Sequence, residues 1–125
     1  MKKLLLTLLA SLLFTGSAWA EWVKVAQSDN FDKYIDPATI RKDGNFVRFW
    51  EINDLKQRYK DGELSRRTRA EYDCKQERFR HLSASTHSGP MAGGTTLLSD
   101  SSGGQWNDIP PCSVSEAVLQ IVCAK

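Results

Sequence analysis

The sequence predicts an α+β fold of five to six strands followed by one C-terminal amphipathic helix. Three observations carry this. Residues 46–55 (FVRFWEINDL) are rich in β-branched and aromatic side chains. Residues 64–74 and 78–87 alternate with period two. After Pro110-Pro111, apolar residues recur at 114, 117, 118, 121 and 122, the spacing of one buried helical stripe.

The elements follow in order. Residues 21–26 alternate Trp22, Lys24 and Ala26 against Val23 and Val25, a first strand. Ser28-Asp29-Asn30 is a turn, Tyr34-Ile35 a strand stub, and residues 36–40 a turn or single helical turn with Pro37 at its first position. Asp43-Gly44-Asn45 reverses the chain. The strand over 46–55 has apolar groups on both parities, which predicts a central position with partial cover on both faces. Residues 55–62 form a polar loop. In the next strand, Thr68, Ala70, Tyr72 and Cys74 face the helix, and Arg67, Arg69, Glu71 and Asp73 face water or a partner. In the strand after it, Arg78, Arg80, Leu82, Ala84 and Thr86 share one parity, and Phe79, His81, Ser83, Ser85 and His87 the other. Residues 88–94 are a loop, 95–99 a short strand and 101–104 a Gly/Ser loop. Trp106 is expected to plug the core beneath that loop. Ser113 with Glu116 three residues on is the capping box that starts the final helix.

The ends and composition bound the rest. Lys2-Lys3, the apolar run Leu4–Phe14 and Ala18-Trp19-Ala20 have the layout of a cleaved export signal. The run is shorter than the roughly 20 apolar residues a membrane span needs. The expected product is a single domain over residues 21–125, exported, with the periplasm as first expectation and the outer surface or medium as alternatives. The full chain carries 17 Lys+Arg and 15 Asp+Glu; without Lys2 and Lys3 the charge balances. A nucleic-acid partner, which needs a basic excess, is not expected. Locally, residues 56–80 hold nine basic and five acidic residues.

Three cysteines, Cys74, Cys112 and Cys123, allow three pairings. Cys112 and Cys123 would flank one helix about 15 Å apart, beyond disulfide reach. Cys74–Cys123 would tie the helix to the sheet, and Cys112 would be the spare thiol, free or linking two chains. A Cys74–Cys112 peptide in a non-reducing map would overturn that pairing.

Catalytic signatures are sparse. His81 and His87 are six residues apart, about 20 Å along a strand, too far to share a metal ion. There is no Gly-x-Ser-x-Gly elbow, zinc spacing or phosphate loop. No enzyme, cofactor or metal is therefore expected; a small periplasmic hydrolase using His81 or His87 with a serine is the weaker reading. The physical candidate for binding is a basic ribbon of Arg67 and Arg69 on one strand and Arg78 and Arg80 on the next, offering forked donors to carboxylates or sulfates. Glu71, Asp73 and Glu77 compete by neutralising them.

The ordered set EWVKV, KYIDPATIRKDGNFVRFW, RAEYDCKQERFRHLSAS, HSGPM and WNDIPPCSVSEAVLQIVC resembles the surface-adhesin protein E domain family of Gram-negative bacteria. The resemblance covers essentially all of residues 21–125. It implies an antiparallel meander sheet with the helix packed on one face. It also implies adhesion to a protein partner such as host matrix or an envelope protein, and a homodimer. Two departures stand out: the chain lacks a lipid-attachment cysteine after Ala20, and Cys112 occupies a position before the helix where a glycine is expected. The alternative to adhesion is a structural protein of the envelope.

Overall fold

The computed structural model describes residues 21–124; the export signal expected over residues 1–20 lies outside them. The main path of the sheet is β1 (Val23–Gln27), β2 (Phe31–Ile35), β4 (Phe46–Leu55), β5 (Ser65–Asp73), β6 (Arg78–His87) and β7 (Thr96–Asp100), in that spatial order. Every pairing is antiparallel. Two short strands add to it: β3 (Arg41–Asp43) on β4, and β8 (Asn107–Asp108) on β6. The expected meander of five to six strands is thus the main path. The two extra strands lie in segments for which the sequence predicts no strand.

β2 and β3 lie end to end along the same edge of β4, joined by a 3-10 turn at Pro37–Thr39. The Asp36 side chain accepts from the Ala38 amide, 3.1 Å, which starts the turn. Where the pairing is interrupted, the Thr39 hydroxyl takes over: it accepts from the Trp50 amide at 3.0 Å and donates to the Asp36 carbonyl at 2.7 Å. The backbone at Trp50 therefore stays satisfied and its ring is held at a fixed place on the sheet.

The core lies on one face. Ile35, Val47, Phe49, Ala70 and Tyr72 pack against Val118, Leu119 and Val122 of α1 (Val114–Val122). Ser113 caps the helix by accepting from the Glu116 amide at 3.1 Å. The buried stripe is narrower than predicted: Val118, Leu119 and Val122 are inside, but Ile121 is 46% exposed. A nine-residue helix covers a narrow strip of sheet, so only one side of it can be dry. Cys74 and Cys123 form the disulfide, Cα–Cα 5.7 Å across 49 residues, and Cys112 is free and exposed.

The parity assigned to residues 78–87 needs correction. Ser83 pairs with Arg69 but His81 pairs with Ala70, so Leu82 is an extra residue in a β-bulge. Side chains before and after the bulge exchange faces. Arg78, Arg80, Ser83, Ser85 and His87 lie on the open face; Phe79, His81, Ala84 and Thr86 lie on the helix face. The two histidines, expected on one side, are on opposite sides.

Candidate functional site: the open arginine face

The face of the sheet away from α1 is organised in cross-strand rows, because directly paired residues point the same way. One row holds Ile52, Arg67, Ser85 and Ser99. The next holds Trp50, Arg69 and Ser83. Then come Arg41, Arg48, Glu71 and Arg80, and finally Asp43, Phe46, Asp73 and Arg78. These rows carry six arginines and three carboxylates.

The carboxylates are not spread evenly. Glu71, 2% exposed, takes Arg48 on one oxygen (Nε to Oε2, 2.7 Å) and Arg80 on the other (Nη2 to Oε1, 2.7 Å). Burial raises its carboxyl pKa, but the two guanidiniums, by hydrogen bonds and charge, outweigh burial and hold it below the usual carboxylate range. The same contact raises Arg48. Asp73 pairs with Arg78 at 3.1 Å and accepts from the Lys75 and Gln76 amides. Burial again pushes its carboxyl up, and these hydrogen bonds hold it down. Trp106 sits on top: the guanidiniums of Arg78 and Arg80 both lie 4.6 Å from its ring centroid, and Phe46 is 5.9 Å away. Trp106 therefore covers the ion pairs of the open face instead of plugging the core.

Arg67 and Arg69 are different. Both are exposed, and among the described residues neither has a carboxylate within 4.0 Å. Arg67 stacks on Trp50, 4.5 Å to the centroid. Two shallow clefts flank Trp50. One, of about 200 Å³, is bounded by Trp50, Arg67, Ser83, Ser85, Ser99 and, at its rim, Asp100, which makes no ion pair with Arg67. The other, of about 290 Å³, is bounded by Thr39, Arg41, Arg48, Trp50 and Arg69.

All four ribbon arginines named from the sequence are on this face, in two different states. Arg78 and Arg80 are engaged by Asp73 and Glu71; Arg67 and Arg69 are unengaged. Glu77, expected to share in the neutralisation, makes no ion pair among the described residues. The reading from sequence missed Arg41, Arg48, Trp50 and Trp106 as members of the face. A signal existed for two of them: Arg48 and Trp50 share parity with each other along β4.

The hydrolase reading meets a specific geometry. Ser85 Oγ lies 2.7 Å from His87 Nε2, so a serine and a histidine are in contact. The other ring nitrogen, Nδ1, faces the Thr96 hydroxyl at 3.4 Å, where a triad would have a carboxylate. Ser85 sits mid-strand, paired with Arg67 on one side and Ser99 on the other, so its amides serve the sheet rather than an oxyanion. Burial, then the charge of Arg67, lowers the His87 pKa. His81 lies on the far face beside Phe79, 5.8 Å between rings. Cys74 is spent in the disulfide. Among the described residues no three His, Cys, Asp or Glu side chains converge as metal ligands, and no helix is long and apolar enough to cross a membrane.

The fold has solved counterparts. It superposes on crystal form II of Haemophilus influenzae protein E with a TM-score of 0.68 at 16% identity, covering 86% of this chain and 91% of that one. For protein E from non-typeable Haemophilus influenzae the values are 0.61 and 17%, with 88% and 79% covered. At such identities the likeness establishes the fold. No curated protein sequence matches the chain. The sequence profile of the family described as surface-adhesin protein E matches residues 22–124. With the profile spanning nearly the whole described domain and the sheet-and-helix architecture in agreement, the chain belongs to the surface-adhesin protein E family.

Proposed function

We propose that the chain is an exported, non-enzymatic binding domain that engages acidic groups of a protein partner, such as a host matrix or envelope protein, through its open arginine face. Family membership supports an adhesin-like role. The observation that carries the site is the pair Arg67 and Arg69: exposed, adjacent on one face of β5, and in no ion pair among the described residues. An unengaged guanidinium keeps its full donor set for a partner carboxylate, whereas Arg48, Arg78 and Arg80 already spend theirs internally.

The test is capture of the chain from Glu21 onward on immobilised matrix proteins at physiological salt. Arg67→Ala with Arg69→Ala is expected to reduce capture about tenfold, two exposed charge contacts at about 0.7 kcal/mol each. The quadruple variant that also replaces Arg78 and Arg80 is expected to lose little more. Unchanged capture by the folded double variant would move the binding surface elsewhere.

A further inference from the structure

We infer that the open face reads an extended acidic peptide whose carboxylates alternate, acidic–x–acidic–x–acidic, lying along β5. This rests on the proposed binding role of the same face and names the ligand within it.

Arg67, Arg69 and Glu71 are alternate residues of one strand, so their rows are about 7 Å apart, twice the rise per residue. The first two rows each offer one unengaged guanidinium. The third holds Arg48 and Arg80 on Glu71, with Arg41 further along the row, three guanidiniums against one carboxylate and so an excess of positive charge. The fourth row, with Asp43 and Asp73 against Arg78, has none. Positive charge therefore recurs three times with a period of about 7 Å and then stops. An extended peptide places every second side chain on one face with that same period. Five residues with acids at the first, third and fifth positions would meet the three rows one to one.

The aromatic rings decide against the main rivals. Carbohydrate and single-stranded nucleic-acid sites need a free aromatic face on which a ring can stack. Here Trp50 is capped by the guanidinium of Arg67, and Trp106 by those of Arg78 and Arg80. The rings orient the arginines and are not themselves offered. The serine paired with Arg69, Ser83, is a short hydroxyl donor suited to a carboxylate resting on the sheet.

The experiment compares two fluorescein-labelled heptapeptides of identical composition, Ser-Glu-Ser-Glu-Ser-Glu-Ser and Ser-Ser-Glu-Glu-Glu-Ser-Ser, by anisotropy at low and physiological salt. The alternating peptide is expected to bind at least about threefold more tightly, because the blocked isomer aims its middle acid away from the face. Arg67→Gln with Arg69→Gln, which keeps side-chain bulk, is expected to abolish the difference; Lys56→Gln with Lys60→Gln, on the 56–62 loop, is expected to leave it intact. Equal affinity for the two isomers overturns the inference. So does tighter, Arg67- and Arg69-dependent binding of a sulfated hexasaccharide, which would make the face a sulfate reader. If the peptides fail to discriminate while matrix capture still depends on Arg67 and Arg69, the inference fails and the proposed function stands. If capture is independent of both arginines, the proposed function itself fails.

Discussion

Glu71 is the residue on which the open face turns. Its two oxygens each hold one arginine, Arg48 from β4 and Arg80 from β6, so it clamps three strands through side chains. Its own exposure is 2%, yet the Arg48 side chain is 47% exposed. The pair is therefore half in water, and its contribution lies below the 3–5 kcal/mol seen when a fully buried partner is removed. Glu71→Gln is expected to destabilise by about 1–2 kcal/mol, read from urea unfolding, since the amide can accept from one guanidinium but offers no charge to either. It should also free Arg48 and Arg80 and tighten anionic ligands on the same face. A variant as stable as the parent would mean the clamp is ornamental. The arginine ribbon was visible in the sequence as alternating residues, but its division into engaged and unengaged halves was not. That division depends on which row each carboxylate joins, and the row is fixed by strand register, a long-range property.

At the scale of elements, the junction before α1 departs from local preference. Cys112 has φ +60°, the left-handed region that glycine enters without penalty and other residues enter at about 1–2 kcal/mol. The resemblance to the family predicted glycine there, and the backbone explains why. Cys112→Gly should gain local relief, offset in part by the greater freedom of glycine in the unfolded chain. Cys112→Val removes the same thiol but adds branching at Cβ. We expect melting temperatures in the order Gly at or above Cys, with Val below Gly by about 4–8 °C for a loss of about 1 kcal/mol in a domain this small. Equal melting of the Gly and Val variants would show that the junction tolerates any side chain. The helix itself was legible from its cap and period. Its exposed Ile121 was not, because the apolar spacing alone does not say how wide a strip of the helix the sheet will cover.

At the scale of the whole molecule, acid should act in two stages. His81 lies on the helix face, with Glu51, Lys33 and Arg66 as its charged neighbours. Burial lowers its pKa first; Glu51 opposes that, and Lys33 and Arg66 add to it. His87 is lowered by burial and by Arg67. Unfolded histidines protonate near pH 6.5, so below that value the unfolded chain binds more protons than the folded one. Stability present above about pH 6.5 is then lost as pH falls toward the lower folded values. Glu71 and Asp73 act later: their folded pKa values are depressed, so their contribution is full above about pH 4.3 and fades as pH falls through the folded values. Urea midpoints at pH 7.5, 6.0, 5.0 and 3.5 should fall in both intervals. His81→Gln with His87→Gln should flatten the first fall and leave the second. A first fall that persists in the double variant would assign it to other groups.

The sequence by itself determined the periods, caps and turns, since these depend on neighbours within a few residues. From them came the strands over 46–55, 65–73 and 78–87, the helix after Ser113 and the pairing of Cys74 with Cys123. The faces of β5 were legible in its alternation; those of β6 were decided by tertiary structure. Leu82 is an extra residue of β6 against β5, and one inserted residue in a period-two element moves every later side chain across the sheet. That step put His87 and Ser85 on the face of Arg67 and left His81 on the opposite one, while the pairing of β3, β4 and β5 brought Arg41, Arg48 and Trp50 onto the same surface.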